Sequence, residues 1–329
     1  MGEAVPLVST APGRRRPSGT VGVRHHFLVI PSVVCAAQAA LTIAEGIPDA
    51  VAIEHQHGCS QLGGDAHLTE LVLTGLGTHP NVAGTLVVSL GCETVQGLLL
   101  HRSIVERGQR AEFVGIQQSG GTGAAIAAGR EALTRLQGAA TADPEVRVGW
   151  DDLRIGIEAA WLGMPAAQAR VFAEVTGQLL RAGATVIQAV REGSSGRPPG
   201  ASVLGNPNRE GTSLAYGSLP PERGYFLMAA PESRIAQKTG LAVAGAHVIL
   251  SPFTSGLPAG CPVAPVVHVG VLPYARPFAG DVDVMLDDAP RPELVAAVLR
   301  ALATVCGEQT ALEGMGAFEM AIHRIAPTM

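Results

Sequence analysis

The sequence predicts an α/β fold of two Rossmann-like lobes, each a mainly parallel sheet flanked by helices. Short, nearly unbroken apolar runs rich in Val and Ile alternate with Ala-rich stretches of helical period, the pattern of strands buried on both faces and joined by helical crossovers. Glycine (41 residues) and proline (23) punctuate these runs along the 329-residue chain. Hydrophobic residues make up 47% and charged residues 16%, enough apolar material for more than one core.

Taken in order, residues 1–20 carry three arginines without an apolar stretch behind them and read as a disordered leader rather than a signal peptide. A first lobe is expected over 21–140. Its strands are FLVIPSVV (27–34), AVAIEH (50–55), NVAGTLVVSL (81–90) and EFVGIQ (112–117). Helices are expected from Ala36 to Glu45, from His67 to Leu76, from Val95 to Glu106, and through TGAAIAAGREALTRL. The polar, turn-rich stretch 137–152 separates a second lobe, 141–329. That lobe has strands LRIGIEA, ATVIQAV, YFLMAA, AHVILSPF and APVVHVGVL, and helices over 165–181 and 291–306. The glycine- and proline-rich segment from Arg191 to Gly211 reads as a loop.

Several function classes lose support. Net charge is −5 at pH 7, so no basic excess exists to coat a phosphate backbone and nucleic acid is not an expected partner. No apolar run reaches the length of a membrane span, and no membrane partner is expected. The five cysteines, Cys35, Cys59, Cys92, Cys261 and Cys306, form no CxxC pair, as suits free thiols in a reducing, cytoplasmic compartment. Neither a GxSxG elbow nor a Walker loop occurs, against serine hydrolase and ATPase chemistry.

Polar clusters follow directly on the apolar runs: EHQHGCSQ, GCETVQ, QQSGGTG and SPFTSGLPAGCP. In a parallel sheet all strand carboxyl ends lie along one edge, where ligands bind. His55 and His57 are two apart and project to one side of an extended backbone, with Cys59 continuing the alternation. Two imidazoles and a thiolate are a donor set for iron, manganese or zinc; the alternative is an ordinary polar loop. Cys92 and Glu93 stand where strand gives way to helix, placed to ligate metal or move a proton, or else a small packed Cys beside a helix-capping Glu. The turn Gly120, Gly121, Thr122 opens a helix and presents backbone N–H groups to a carboxylate, though glycine-rich turns also occur without ligands. Candidate catalytic residues are His55, His57 and Glu93. Candidate metal ligands are His55, His57, Cys59, Cys92 and Glu93. Candidate substrate contacts are Arg24, Gln117, Gly120, Gly121, Thr122, Asn206, Thr254 and Ser255.

HQHGC, HPNVAGTLVVSLGCE, the Gly-Gly-Thr after IQQS, DLRIGIE, TGLAVAGAHVIL and GCPVAPVVHV together resemble the catalytic region of the altronate/galactarate dehydratase family. They are also similar to the large subunit of sulfolactate sulfo-lyase. The resemblance implies a metal-dependent lyase, with Fe2+ or Mn2+ as the usual ion, acting on a small acidic substrate. It implies a small N-terminal domain or a separate small subunit. Only about twenty residues precede the first strand, so either a separately encoded small partner or a pocket closed by a second protomer of a homo-oligomer is expected. The chain departs from the family where Arg24 is followed by His25, where AAWLGMPAAQAR replaces a Cys-Gly-Gly-Ser-Asp run, and where MAAP, Met228 to Pro231, replaces Met-Asp-Thr-Pro. A long Asn-Pro…Gly-Asn segment survives only as Asn206, Pro207 and Gly211. These losses imply a less hydroxylated substrate.

The expected reaction is a dehydratase-type β-elimination on a hydroxy-carboxylic acid, giving a 2-oxo acid. The alternatives are a non-catalytic ligand-binding or regulatory subunit, or a sulfo-lyase or metal-dependent hydrolase using the same residues.

Overall fold

The computed structural model describes residues 11–159, 164–191, 211–254 and 256–325. The chain divides into two compact units. One runs from Gly13 to Val146 and takes back the segment from Met320 onward; the other runs from Arg147 to Glu319. Both are α/β, with parallel sheets flanked by helices.

The first unit is built on β3 (His26–Pro31), β4 (Ala50–Ala52), β5 (Val82–Ser89) and β6 (Ala111–Gly115), in the order β4-β3-β5-β6. All pairings are parallel. Helices α1 (Ala37–Ala44), α2 (Gly63–Gly77), α3 (Gly97–Glu106) and α4 (Thr122–Ala140) make the crossovers. Every residue of β5 is buried, as a central strand covered on both faces requires. Helices α1 and α4 contact each other, and so do α2 and α3, so the sheet carries one pair on each face. Phe27, Val29, Leu86, Val88 and Val114 pack with Ile43, Leu133 and Leu136 in one core. Strand order reverses between β3, whose chain goes on to β4, and β5, whose chain goes on to β6. That reversal leaves a crevice at the carboxyl ends of β3 and β5, the usual ligand position in an open α/β sheet.

Residues 11–20 do not behave as the expected leader. β1 (Ala11–Arg15) lies between β2 (Val21–Gly22) and β7 (Glu145–Val148) in a three-stranded sheet. The reason is a buried polar anchor. Arg16, 3% exposed, pairs with Asp143 at 3.1 Å and donates to the Pro80 carbonyl at 2.8 Å. Arg110 also pairs with Asp143. A sequence reading sees only a run of arginines there.

The second unit carries a seven-stranded parallel sheet, β10-β11-β9-β8-β12-β13-β14. The strands are β8 (Arg154–Ile157), β9 (Thr185–Arg191), β10 (Thr212–Leu214), β11 (Tyr225–Ala230), β12 (Val248–Phe253), β13 (Val266–Val271) and β14 (Val284–Leu286). Helices are α5 (Ala166–Arg181), α6 (Arg234–Val243), α7 (Arg291–Thr304) and the short α8 (Ala311–Gly314). Here the strand order reverses between β8, which leads to β9, and β12, which leads to β13. Helix α6, absent from the sequence expectations, starts where the Ser233 hydroxyl accepts from the Ala236 amide at 3.3 Å, an N-cap. It packs against β8, β9, β11 and β12.

Candidate functional site

The loops following β3, β4 and β5 are knitted together by backbone. His57 O accepts from Val34 N at 3.0 Å, and Gly58 O accepts from Thr94 N and Val95 N at 2.9 and 3.1 Å. Gly58 has φ +96°. A side chain there would be driven into the Ser32 carbonyl and to 2.8 Å from Val33 Cα. Glycine is therefore required in HQHGC so that this loop can lie against the loop after β3.

Glu93 fills the crevice between β3 and β5. Its Oε1 accepts from Ser32 Oγ at 2.8 Å, Ser89 Oγ at 2.5 Å and Gly97 N at 3.4 Å, while Oε2 accepts from Gly91 N at 2.6 Å. Burial by itself raises this carboxyl. The hydrogen bonds from Ser89, Gly91 and Ser32 outweigh that effect and hold it down at about 2. Glu93 is thus a fixed anion that ties together the ends of β3 and β5 and the start of α3. A carboxylate this acidic is poorly matched to proton abstraction near neutral pH.

The two histidines are locked in single tautomers. His55 Nε2 donates to the Pro31 carbonyl at 2.7 Å, and its Nδ1 accepts from His57 N at 3.2 Å. His57 Nε2 donates to the Ile322 carbonyl at 3.1 Å, and its Nδ1 accepts from Gln61 Nε2 at 3.0 Å. Gln61 cannot flip, because its Oε1 already accepts from Gly58 N at 2.9 Å and Thr69 Oγ1 at 3.0 Å. Burial lowers the pKa of both imidazoles. The rings stack with centroids 6.2 Å apart.

This arrangement does not fit the expected metal set. A ligating imidazole must offer a lone pair, and both Nδ1 lone pairs are already used. Cys59 and Cys92 are exposed, and Glu93 is saturated apart from one lone pair on Oε2. Among the described residues no group of three or more His, Cys, Asp or Glu side chains is placed to hold a metal ion.

Gly120 and Gly121 have φ +85° and +127°, with open space where a side chain would stand. They lead into α4, whose first turn has no side-chain cap and no acidic residue. Its N–H groups are therefore available to an anion at this edge. Gln117 packs its amide against Gly91 and joins the same edge. Arg24 does not. It precedes β3 by two residues, at the amino-terminal edge, and donates to the Val23 carbonyl at 2.9 Å. A six-residue strand separates the two edges by about 20 Å. The sequence paired Arg24 with the other candidates because linear order carries no information about which edge a residue flanks. Thr254 lies in the second unit, after β12. Asn206 and Ser255 fall outside the described residues.

The second unit holds a polar cluster that the sequence expectations missed entirely. Leu250 is the register partner of Ile157, and Ser251 that of His268. Glu158, Ser251 and His268 therefore form a polar row across β8, β12 and β13. Glu158, fully buried, pairs with Arg234 of α6 and accepts from Ser251 Oγ at 2.6 Å. Arg234 also donates to Ser251 Oγ at 3.3 Å and to the Pro252 carbonyl at 3.0 Å. Lys238, one turn further along α6, points its ammonium toward Glu158 Oε2 at 3.8 Å. Burial would raise the Glu158 carboxyl, but Lys238 and Arg234 bring it below its ordinary range. Arg and Lys four apart share a helix face, and Glu158 ends an apolar strand. Those were the available signals. A groove of about 630 Å³ in this unit is lined by Val267, Asp283, Arg300 and Thr304. Val267 and His268 point to opposite faces of the sheet, so the groove is not this cluster.

With both sheets placed, the first unit defines a parallel α/β domain whose carboxyl-edge loops form a tight polar cluster. Residues 13–141 match the family described as D-galactarate dehydratase/altronate hydrolase, second domain. The chain is 32% identical over 155 residues to altronate dehydratase of Escherichia coli, covering 44% of this chain and 31% of the relative. It is 28% identical over 160 residues to altronate dehydratase of Bacillus subtilis, covering 45% and 32%. It is 37% identical over 78 residues to the (2R)-sulfolactate sulfo-lyase subunit beta of Chromohalobacter salexigens, covering 24% and 20%. The resemblance to altronate/galactarate dehydratases is thereby borne out, with the family match lying on the first unit. The matches span about a third or less of these relatives' length. Among the described residues, no helix is long and apolar enough to cross a membrane.

Proposed function

We propose that this chain is a dehydratase-type lyase acting on a small hydroxy-carboxylic acid and giving a 2-oxo acid. One observation carries the reading: the segment that matches a dehydratase/hydrolase domain is the unit whose carboxyl-edge loops converge around His57, Glu93 and the start of α4. The substrate carboxylate sits on the N–H groups opening α4, with Gly120 and Gly121 leaving it room. His57, kept neutral by burial, is the proton acceptor once Gln61 swings off Nδ1, a movement that frees one imidazole nitrogen and not a set of metal ligands. Removal of the α proton sends its electron pair into a new carbon–carbon double bond. The β-hydroxyl leaves as water after taking up a proton, and the enol tautomerises to the 2-oxo acid. His55 and Glu93 hold the loops in place. No step is assigned to a metal, because the first-unit donors as arranged do not fit one.

The chain's departures from the family's Cys-Gly-Gly-Ser-Asp and Met-Asp-Thr-Pro runs support a substrate with few hydroxyls, since each buried hydroxyl left without a partner costs about 1–3 kcal/mol. The test is 2-oxo acid formation by the full chain from altronate, galactarate and short 2,3-dihydroxy acids. Turnover of a short acid that is abolished by His57→Gln, with α4 and the fold intact, supports the reading. Absence of turnover on all of them overturns it in favour of a non-catalytic binding subunit. The saturated hydrogen bonds of the first unit favour that second reading.

A further inference from the structure

The groove of about 630 Å³ in the second unit opens at the amino-terminal edge of the sheet. Asp283 stands just before β14, Val267 near the start of β13, and α7 runs back against the strands to end here. The volume lies within the range of small-molecule sites, about 300–1,000 Å³. Val267, Val284, Ala297, Ala301 and Val305 give it an apolar wall. Its ionisable lining is Asp283, Arg300 and Glu308, and the two signs are set apart. Arg300 and Thr304 are one turn apart on α7 and share a helix face. Glu308 follows one turn later, its backbone N–H donating to the Thr304 carbonyl at 3.0 Å, where the negative end of the helix dipole lies. Arg300 is exposed and, among the described residues, makes no ion pair and no hydrogen bond. Asp283 Oδ2 accepts from the His268 backbone N–H at 2.7 Å. The side chain closest to pairing with it is the His268 ring, 3.9 Å away, which burial keeps neutral with a pKa down to about 4. Burial and the Glu313 carboxylate raise the Asp283 carboxyl, the response of an anion without a counter-charge.

We propose that this groove binds a small zwitterion, an amino acid whose carboxylate pairs with Arg300 and whose ammonium pairs with Asp283. The Thr304 hydroxyl donates to the same carboxylate. Glu308 and the end of α7 add to the field that favours the ammonium. The apolar body of the ligand lies against Val284 and Ala301. A plain carboxylic acid would leave Asp283 without a counter-charge, and a plain amine would leave Arg300 unused. Both pairings are partly open to solvent, so each contributes modestly and binding needs the two together. The site lies wholly within the second unit, at the edge away from the strand carboxyl ends where open α/β sheets hold their principal ligands. It stands or falls independently of the lyase reading of the first unit.

The test is isothermal titration of the full chain with leucine and phenylalanine, whose two charges adjoin, and with ε-aminocaproate, whose charges stand at opposite ends of a chain. Isocaproate and isoamylamine, each keeping one of the two charges, serve as comparisons. The expected result is saturable binding of at least one zwitterion, about fivefold or more tighter than either single-charge compound. Arg300→Gln and Asp283→Asn should each weaken it by about fivefold, the loss of one partly exposed charge pair. Asn at 283 can still accept from the His268 backbone, and Arg300→Gln, at an exposed position, keeps the test open if Asp283→Asn does not fold. No saturable binding of any of the three zwitterions, or unchanged affinity in the folded Arg300 variant, overturns the proposal. A single-charge compound that binds as tightly overturns the choice of a zwitterion.

Discussion

Each of the two sheets places a glutamate and a serine at its strand-order reversal, yet the two carboxylates have opposite surroundings. Glu93 is held by hydroxyls and backbone amides, all neutral and all spent on it. Glu158 is held by Arg234, Lys238 and Ser251, beside His268, whose ring nitrogens are unbonded. In the first case the protein has filled its own crevice, and the carboxylate serves as a rivet. In the second, two cations of one helix face converge on a single fully buried carboxylate, with Asp283 3.9 Å from the His268 ring. Substitutions in the first cluster should therefore register strongly in stability, and loss of Lys238 from the second only weakly, since Arg234 still pairs Glu158.

The largest effect expected from this contrast is at Gly58. Gly58→Ala meets both a positive φ and the Ser32 backbone, and should destabilise the first unit by about 3 kcal/mol or more. Gly63→Ala, with φ +55° and open space, should cost only about 1 kcal/mol. Equal midpoints for the two in urea would show that the HQHGC loop does not depend on this close approach.

Next comes Glu93. Its carboxyl is held at about 2 in the folded state against an ordinary value of 4.5. A depressed carboxylate contributes stability that is full above the ordinary value and is lost as pH falls toward the folded one. Unfolding should therefore steepen between pH 4.5 and 2. Glu93→Gln, which turns an acceptor into a donor facing donors, should cost about 2 kcal/mol at neutral pH and flatten that acid limb. An unchanged acid limb would remove the rivet from the comparison.

A smaller effect is expected from the histidines. Burial lowers the pKa of His55 and His57, so the unfolded chain binds protons first as pH falls below about 6.5. Stability present above that value then declines, by up to about 1 kcal/mol for each ring over the first pH unit. Nitrogen NMR at pH 7 should find both rings neutral with the proton on Nε2. A proton on Nδ1 of His57 would contradict the Gln61 contact and reopen the ring to metal.

The smallest effect on stability is expected at Lys238. Lys238→Met leaves Glu158 paired with Arg234 and should shift the unfolding free energy by less than about 1 kcal/mol in either direction. A loss of several kcal/mol would mean that the ammonium is structural, and the contrast between the two clusters would close.

Much of this was legible in the chain itself. The strands from FLVIP to FVGIQ, the helices between them, and the convergence of HQHGC, GCE and GGT at one edge follow from hydrophobic period and from parallel-sheet geometry. What each residue does there was not legible. HxHxC spacing allows metal ligation, but the backbone carbonyls of Pro31 and Ile322 take the Nε2 protons, and Ile322 is 265 residues distant from His57. Nor could residues 11–20 be read as part of a sheet, because Arg16 is anchored by Asp143, 127 residues away. His268 stands inside an apolar strand, and only its register with Ser251 puts it beside Glu158.

Local sequence settled the central strands and the helices of the first unit, though not β1 or α6, because burial on both faces writes itself as runs of Val, Ile and Ala. It also settled where glycine must stand, because a positive φ excludes most side chains. Tertiary structure alone decided which polar groups are satisfied. A hydrogen bond depends on distance and direction between groups far apart in the chain, so only the folded molecule shows that Glu93 is enclosed by neutral donors while Glu158 is held by Arg234 and Lys238.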